Sequence, residues 1–326
     1  MTTVLAPIYS ARDSAVTQRP TSTAILAIDS EDRFAEYDEA RDYLSGRNRS
    51  PYNFTINKSQ SLMNGFFTRL GVTEVVFPWV IPNINKNTNK INIEYDVGAG
   101  DVPATITVPV GFYTPSQLAS TLESLIITQT GLAAGQFVMT YGVQTLPGSL
   151  PAQRPIFQYA FTILGCTIRF TPMPGDTRRK QLFDILGFTS DNYVQQASGY
   201  GTDTFCQATR YIDIVCTQLT ANQALKDTMS QPVARDVLCR VYVGDAAGVQ
   251  STVLPSSPTF CPPGCMPTTI YRDFAQPKQI QWIPNQPVPG YLQFNVYDDA
   301  GYDLTDSADV WGNGANWSMT MLVTEN

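Results

Sequence analysis

The feature that most constrains this chain is the alternation of apolar and polar residues near its C-terminal end. Leu292, Phe294 and Val296 alternate with polar neighbours, and the same period of two recurs over residues 317–324. Because successive side chains of a strand point to opposite faces, each segment predicts a strand with one buried face. Residues 298–301 (Asp-Asp-Ala-Gly) between them are typical of a tight turn and predict a hairpin corner. An isolated hairpin is marginally stable, so these strands need a larger sheet formed upstream.

The rest of the chain combines many short strand-like segments with few helices. Thr114 precedes Pro115 and stands three residues before Gln117, a capping box that predicts one helix. A second short helix is predicted over residues 178–186, with Gly187 as its stop. Turn residues separate the apolar alternating segments throughout. This pattern favours a β-sandwich or a jelly roll.

The domain organisation predicted from the sequence is one domain preceded by an arm. Residues 1–24 are rich in Thr, Ala, Ser and Pro without periodicity, which predicts a mobile N-terminal arm. Residues 25–326 contain no internal repeat and no clear linker, so a single domain is expected. Within it, residues 246–276 are rich in Pro, Ser and Thr and weakly patterned, and we expect a long loop or insertion there.

The charge balance argues against two classes of partner. The chain has 21 Lys and Arg against 28 Asp and Glu, a net charge of −7 and no basic stripe, so direct nucleic-acid binding is not expected. No apolar run reaches the roughly 20 residues of a transmembrane segment, and residues 1–20 lack the pattern of a signal peptide. The low charged fraction of 15% suits a surface covered by neighbouring subunits, although an ordinary uncharged β surface has the same composition.

The chemical inventory offers no candidate catalytic site. Histidine is absent, which removes the Ser-His-Asp triad, the Cys-His dyad and most zinc catalysis. The sequence also lacks the P-loop motif of nucleotide hydrolases. We therefore predict no catalytic, cofactor-binding or metal-binding residues, no cofactor and no enzymatic activity.

Acidic and aromatic residues leave two ligand classes open. The densest acidic group offers oxygen ligands that suit calcium, but its spacing matches no EF-hand loop and a solvated turn is the commoner explanation. Exposed aromatic residues could form a sugar-binding groove, whereas most of the large ones are explained more simply as core or subunit-interface residues. The acidic group is Asp298, Asp299, Asp303, Asp306 and Asp309. The aromatic residues are Tyr52, Trp79, Trp282, Trp311 and Trp317.

The six cysteines do not form a zinc-binding pattern. Cys166, Cys216 and Cys239 lie in apolar strand-like segments, which indicates small core residues. Cys261 and Cys265 flank Pro-Pro-Gly, and both a local disulfide and two free thiols fit this spacing. A reducing compartment would favour the free thiols.

Several segments in order carry a resemblance to a known family. They are residues 28–33 (Ile-Asp-Ser-Glu-Asp-Arg) with 50–54 (Ser-Pro-Tyr-Asn-Phe), 80–85 (Val-Ile-Pro-Asn-Ile-Asn), 112–118 (Phe-Tyr-Thr-Pro-Ser-Gln-Leu), 182–188 (Leu-Phe-Asp-Ile-Leu-Gly-Phe), and 296–301 (Val-Tyr-Asp-Asp-Ala-Gly) leading to 316–320 (Asn-Trp-Ser-Met-Thr). In order and spacing they resemble the single jelly-roll penton and minor capsid proteins of virophages, polinton-like viruses and large eukaryotic dsDNA viruses.

The resemblance implies two four-stranded antiparallel sheets and five copies around a fivefold axis. With the strand pattern, it predicts an all-β fold: a single jelly-roll sandwich of two antiparallel sheets with one or two short helices and long loops. It further implies contacts with major and minor capsid proteins, and it transfers no catalytic residue.

The function expected from this resemblance is structural. The chain would be the penton that forms the pentameric vertex of an icosahedral dsDNA virus shell. It would be located in the virion capsid after synthesis in the host cytoplasm. The alternatives are a minor or cement capsid protein between capsomers, and a carbohydrate-binding jelly-roll spike.

Overall fold

The structure is a computed structural model that describes residues 23–34, 50–58, 60–63, 67–144, 156–175, 180–188, 198–200, 209–220, 225–227, 235–243, 267–283, 286–305 and 314–324. The strands are β1 (Thr23–Asp29), β2 (Asn53–Asn57), β3 (Arg69–Trp79), β4 (Lys90–Asp96), β5 (Val102–Thr107), β6 (Phe137–Gln144), β7 (Ile156–Ile163), β8 (Thr167–Thr171), β9 (Ser198–Tyr200), β10 (Tyr211–Val215), β11 (Leu225–Asp227), β12 (Arg235–Tyr242), β13 (Thr268–Asp273), β14 (Gln279–Gln281), β15 (Tyr291–Asp298) and β16 (Ser318–Thr324). The helices are α1 (Pro115–Thr130), α2 (Leu182–Ile185) and α3 (Thr217–Thr220), with a 3₁₀ turn at Ser30–Phe34.

Eight of these strands form a jelly-roll sandwich. The first sheet has the order β1-β16-β3-β13, with β14 also paired to β3. The second has the order β12-β10-β15-β2, with β11 at its edge beside β12. Every strand pair in the two sheets is antiparallel. Counted along the chain, the eight strands are arranged 1-8-3-6 and 5-4-7-2, which is the double Greek-key order of a jelly roll. The predicted fold class is confirmed.

The two C-terminal strands correct one prediction, because they do not form a hairpin with each other. β15 lies between β10 and β2 in the second sheet, whereas β16 lies between β1 and β3 in the first. Each buries the alternate residues that its pattern predicted. The period of two requires only one buried face for each strand. Two strands that face each other across a sandwich satisfy it as well as two paired strands do.

The predicted turn after β15 is present. Gly301 has a φ of 89°, and Oδ1 of Asp298 accepts the N–H groups of Ala300 (3.1 Å) and Tyr302 (2.8 Å). These bonds reverse the chain locally, so that Asp303 bridges back to Tyr297. The turn ends a strand of one sheet and does not lead directly into the next strand of that sheet.

An aromatic cluster joins the two sheets. Trp317, immediately before β16, lies 5.8 Å from Phe54 and 6.0 Å from Phe294, both in the second sheet. Its ring also lies 6.3 Å from Phe77 of β3. The indole N–H donates a 2.6 Å hydrogen bond to the carbonyl of Pro51. Trp317 therefore buries a large apolar ring between the sheets while its one polar group stays paired.

The chain between β3 and β10 forms a second layered unit, which we call the insertion. It contains two three-stranded sheets, β5-β4-β8 and β6-β7-β9, and α1 packs against β5 and β6. Its buried apolar residues form a cluster over residues 84–188, whereas those of the sandwich come from residues 26–81 and 212–323. The region predicted as a single domain, residues 25–326, therefore holds two hydrophobic clusters. The insertion separates the third and fourth jelly-roll strands.

The capping box predicted for α1 is confirmed. The Gln117 N–H donates to Oγ1 of Thr114 (3.3 Å), and the Thr114 N–H donates to Oε1 of Gln117 (3.0 Å). The helix ends at Gly131, whose φ is 70° and whose N–H bonds the carbonyl of Ile127. α2 covers part of the second predicted helix, of which residues 178 and 179 lie outside the described residues. No helix in the described ranges is long and apolar enough to cross a bilayer.

Two predicted segments fall largely outside the described residues. Of the predicted arm, residues 1–22 are not described, and Thr23 and Ala24 already belong to β1. Of the predicted loop over residues 246–276, residues 246–266 are not described. Thr268–Asp273 within it forms β13, an edge strand of the first sheet.

The close approach of two backbones at Gly290 gives a stability prediction. A Cβ there would lie 2.3 Å from the carbonyl oxygens of Lys58 and Gln60, and the Lys58 N–H donates to the carbonyl of Gly290 (2.9 Å). The hydrogen bond holds the backbones at this spacing, so a methyl group forces them apart. We expect Gly290→Ala to lower the free energy of unfolding by about 1–3 kcal/mol, measured by urea denaturation.

Gly142 in β6 supplies the matched control, because a Cβ there meets nothing within 4 Å. Gly142→Ala should leave the free energy of unfolding unchanged or raise it slightly, since alanine restricts the unfolded chain. Equal losses in the two variants would contradict the explanation by close approach.

Candidate interaction surfaces

The acidic group after β15 is engaged in contacts within the jelly roll. Asp298 is buried and accepts the turn N–H groups described above. Oδ2 of Asp299 lies 3.0 Å from Nε of Arg210, forming an ion pair. Asp306 and Asp309 lie outside the described residues. Among the residues that are described, no three His, Cys, Asp or Glu side chains are grouped to hold a metal ion.

Asp303 links two strands of the second sheet. Its Oδ2 accepts the side-chain amides of Asn295 on β15 (3.2 Å) and Asn53 on β2 (3.5 Å). Its other oxygen accepts the N–H of Thr305 (2.8 Å). The carboxylate thus fastens the turn to the outer face of the sheet.

The cysteines of the described ranges fit the interpretation as core residues at two positions. Cys216 and Cys239 are buried and free, and burial raises the pKa of each thiol to about 12. Cys166 is half-buried beside the apolar cluster of the insertion, where partial burial raises its pKa. Cys261 and Cys265 lie outside the described residues, so the structure tests neither the local disulfide nor the two free thiols.

The large aromatic residues considered for a sugar groove are mostly core residues. Tyr52, Trp79, Trp282 and Trp317 are all buried in the sandwich, which confirms their interpretation as core, and Trp311 is not described. Among the described residues, the exposed large hydrophobic side chains lie elsewhere, mostly on the outer faces of the sheets and on the insertion. They are Ile25, Val97, Val102, Val138, Leu164, Tyr242, Tyr271, Ile283 and Tyr291.

The outer face of the first sheet carries exposed aromatic, aliphatic and acidic residues. Ile270 of β13 is buried in the core, so the next residue, Tyr271, faces outward and is 53% exposed. Ile25 of β1 is 69% exposed on the same face. Glu74 and Asp273 stand directly opposite each other in the β3–β13 register. We call these four residues the acidic sheet face.

Two carboxylates on this face act on Tyr271. The pKa of Tyr271 is raised, first by the charge of Glu74, then by partial desolvation, by a hydrogen bond to Glu74 and by the charge of Asp273. None of the ion pairs within the described residues involves Glu74 or Asp273. Two carboxylates with no ion-pair partner among the described residues therefore lie beside an exposed ring.

The outer face of the second sheet carries a stacked cluster of aromatic and charged side chains. Nε and Nη2 of Arg240 donate to the two carboxylate oxygens of Asp213, at 2.7 and 2.8 Å. The Arg240 guanidinium lies 3.8 Å from the ring centroid of Tyr211. Tyr242 meets the Tyr211 ring edge-on, with 5.7 Å between centroids, and is 45% exposed. With Arg210, which lies 5.8 Å from the Tyr211 centroid, these residues are the tyrosine–arginine patch.

In the two ion pairs of this patch, the arginine and the aspartate differ in how deeply they are buried. Asp213 is fully buried although it faces away from the core, because Arg240 lies above it with its side chain 20% exposed. The Arg240 pKa is raised, chiefly by its hydrogen bonds to Asp213. The Arg210 side chain is 54% exposed, whereas its partner Asp299 is 11% exposed. Both pairs therefore place the cation outward and the carboxylate beneath it.

Two neighbouring turns of the insertion carry a third exposed group. β4 ends in a turn where Oδ1 of Asp96 accepts the N–H groups of Gly98 (2.6 Å) and Gly100 (2.9 Å). These bonds to the carboxylate lower the Asp96 pKa. Val97 is 51% exposed at this turn, and Leu164, 60% exposed, lies in the neighbouring turn before β8.

A shallow pocket of 250 Å³ lies where the insertion meets the turn after β15. Its ionisable side chains are Lys90 and Tyr302. Its described lining residues include no carboxylate and no nucleophile held beside a base. The remaining lining residues are Asn87, Met173, Pro174, Gly175 and Gln181.

The sequence contained a weak signal for these surfaces. In β13 one buried residue, Ile270, stands between the exposed Thr269 and Tyr271, so the period of two is present but short. In β10 every residue is buried, which hides the alternation completely. Which tyrosines face outward could be read only once the sheets were assembled.

The buried pair beneath the patch gives a second stability prediction. Arg240→Ala leaves the fully buried Asp213 carboxylate without its partner, and such losses cost about 3–5 kcal/mol. We expect a decrease of about 3 kcal/mol in the free energy of unfolding by urea denaturation, because Arg240 is partly exposed. The double variant Asp213→Ala/Arg240→Ala should recover part of this loss. A double variant less stable than Arg240→Ala would show that the isolated charge is not the cause.

The raised thiol pKa values predict slow chemical labelling. At pH 8 a thiol of pKa about 12 is roughly 0.01% thiolate, so Cys216 and Cys239 should resist iodoacetamide in the native protein. Both should react fully after denaturation, as measured by mass spectrometry of peptides. Cys166, half-buried, should react faster than either in the native state. Native labelling of Cys216 at the Cys166 rate would contradict its place in the core.

Comparison with known proteins gives a structural similarity at low sequence identity. The sequence matches no protein-family model and no curated protein. Among solved structures, the chain is similar to the crystal structure of the selenomethionine-labelled mavirus penton protein, with a TM-score of 0.47 and 8% identity. The match covers 94% of this chain and 100% of that chain. At this level it transfers no residue role.

Proposed function

We propose that this chain is a structural capsid protein, and specifically the penton that forms the pentameric vertex of an icosahedral dsDNA virus shell. The observation that carries the proposal is the pair of unlike exposed surfaces on opposite outer faces of the jelly roll. A closed ring of identical subunits needs two different complementary surfaces on each copy. The acidic sheet face and the tyrosine–arginine patch meet that requirement.

Composition supports an assembling chain. Only 15% of the residues are charged, so a large part of the surface is uncharged. Uncharged groups lose less free energy on desolvation than charged groups do. The exposed residues include tyrosines, which supply large rigid contact areas. In this role the chain acts through geometry and without catalysis.

The segments that carry the sequence resemblance lie at connections between elements of the fold, and this also supports the proposal. Residues 28–33 connect β1 to the 3₁₀ turn, and residues 80–85 lead from the sandwich into the insertion. Residues 112–118 form the cap of α1, and residues 296–301 form the turn after β15. Because these segments connect the elements of the fold, their resemblance to the penton and minor capsid proteins favours the same arrangement of strands.

The proposed partners are further copies of this chain and the major and minor capsid proteins around the vertex. Val97 and Leu164 are exposed in neighbouring turns of the insertion, so they are available to a neighbour of a different kind. The location that follows is the virion capsid. A minor or cement protein between capsomers would use the same surfaces without a fivefold ring.

A carbohydrate-binding spike is the second candidate. Tyr242 and Tyr291 are exposed on the outer face of the second sheet, 45% and 49%, and aromatic rings present flat apolar faces to ligands. Gln293 lies exposed beside Tyr291 and offers an amide for hydrogen bonds. Binding of the purified chain to a glycan array would favour this function.

The number of chains in the assembly separates these functions. Analytical ultracentrifugation of the purified chain should give five times the 35.9 kDa chain mass, with dissociation on dilution. A trimer would favour the spike. A chain that stays monomeric over the whole concentration range, including at low salt, would overturn the penton.

A further inference from the structure

We propose that each copy docks its acidic sheet face on the tyrosine–arginine patch of the next copy, in a head-to-tail contact. The inference deepens the proposed function and rests on it, because a ring supplies both surfaces with a partner. The occupant of the patch is thus a second copy of this chain. Tyr271 and the carboxylates beside it are the part that docks.

The carboxylates of the acidic sheet face can bind a cation from another chain. Glu74 and Asp273 form a directly opposed cross-strand pair, and like charges in that position destabilise a sheet. Neither takes part in any ion pair of the described residues. A guanidinium placed between them relieves this repulsion and can bond both carboxylates.

The tyrosine–arginine patch supplies that cation, and its side chains are already held in place by contacts within the chain. Arg210 is the more exposed member of its ion pair, and Arg240 is likewise above its aspartate. Tyr242 is held against Tyr211, so little side-chain freedom is lost when a partner covers it. Tyrosine and arginine are the residue types that dominate binding energy at protein interfaces.

The geometry of the sandwich fixes the kind of assembly. The two surfaces lie on the outer faces of opposite sheets, so one copy cannot bring both to the same neighbour. Each copy therefore contacts two others through unlike surfaces, which is a heterologous interface. Repeated, such a contact closes into a ring when the rotation permits.

The first test removes each surface in turn and measures the assembly by sedimentation. Tyr242→Ala should raise the dissociation constant by roughly 30-fold, as expected for an interfacial anchor. Glu74→Lys/Asp273→Lys should also dissociate the assembly, because lysines then face the arginines. The matched control is Asp101→Lys, which reverses an exposed charge on the insertion and should leave the assembly intact. Circular dichroism and thermal unfolding establish that each variant is folded.

The second test mixes the two disabled variants. The Tyr242→Ala chain retains its acidic sheet face, and the Glu74→Lys/Asp273→Lys chain retains its patch. Equimolar mixing, at a concentration at which the wild type assembles, should therefore yield mainly complexes of two chains, one of each kind. A mixture that stays monomeric overturns the proposed contact, as does a single variant that forms as much dimer alone as the mixture does.

The outcomes separate this inference from the proposed function. A monomeric wild type refutes the penton, and the contact with it. A pentameric wild type whose assembly is unchanged in both variants overturns the contact alone and leaves the penton standing. Loss of glycan-array binding in Tyr242→Ala, with unchanged assembly, likewise overturns it and assigns the patch to a sugar.

Discussion

The contact of Trp317 with aromatic residues of both sheets is the interaction on which the rest of the structure depends. The backbone of Trp317 also exchanges two hydrogen bonds with Ser30, whose side chain and N–H both reach it at 2.9 Å. These bonds fix the end of the β1–β16 pair, which joins the first jelly-roll strand to the last. The same residue thus sets a register within one sheet and the packing of that sheet on the other. The two outer faces can be opposite only because this packing holds.

The insertion interrupts the jelly roll in sequence but leaves its strand order intact, for two physical reasons. The entropy cost of closing a loop grows only with the logarithm of its length, so a long excursion costs little more than a short one. The excursion also has its own apolar cluster, and the bridge between Ile84 and Gly111 ties its entry to the start of α1. The jelly roll can therefore provide the geometry of assembly while the insertion presents a separate surface.

Local features of this fold could be predicted from the sequence, and long-range ones could not. The cap of α1 was predictable because Thr114 and Gln117 bond each other within one turn. The strands β15 and β16 were predictable as strands, but alternation specifies a buried face and not a partner, so their pairing was wrong. The register that joins Thr23 to Thr324 depends on the whole sandwich. β13 was hidden because it has one buried apolar residue within a segment otherwise typical of a loop.

The candidate surfaces could not be predicted in full from the sequence, because their electrostatics depend on how deeply each charged group is buried. Asp213 and Arg240 become neighbours through the β10–β12 register, and only burial puts the carboxylate below the guanidinium. An arginine compensated in this way is less costly to cover than an unpaired one. The carboxylates of the acidic sheet face have no ion-pair partner in the part of the chain that the structure describes, so two such faces repel each other and each accepts the patch instead. Attraction between unlike faces and repulsion between acidic faces together favour a head-to-tail order over a twofold pair.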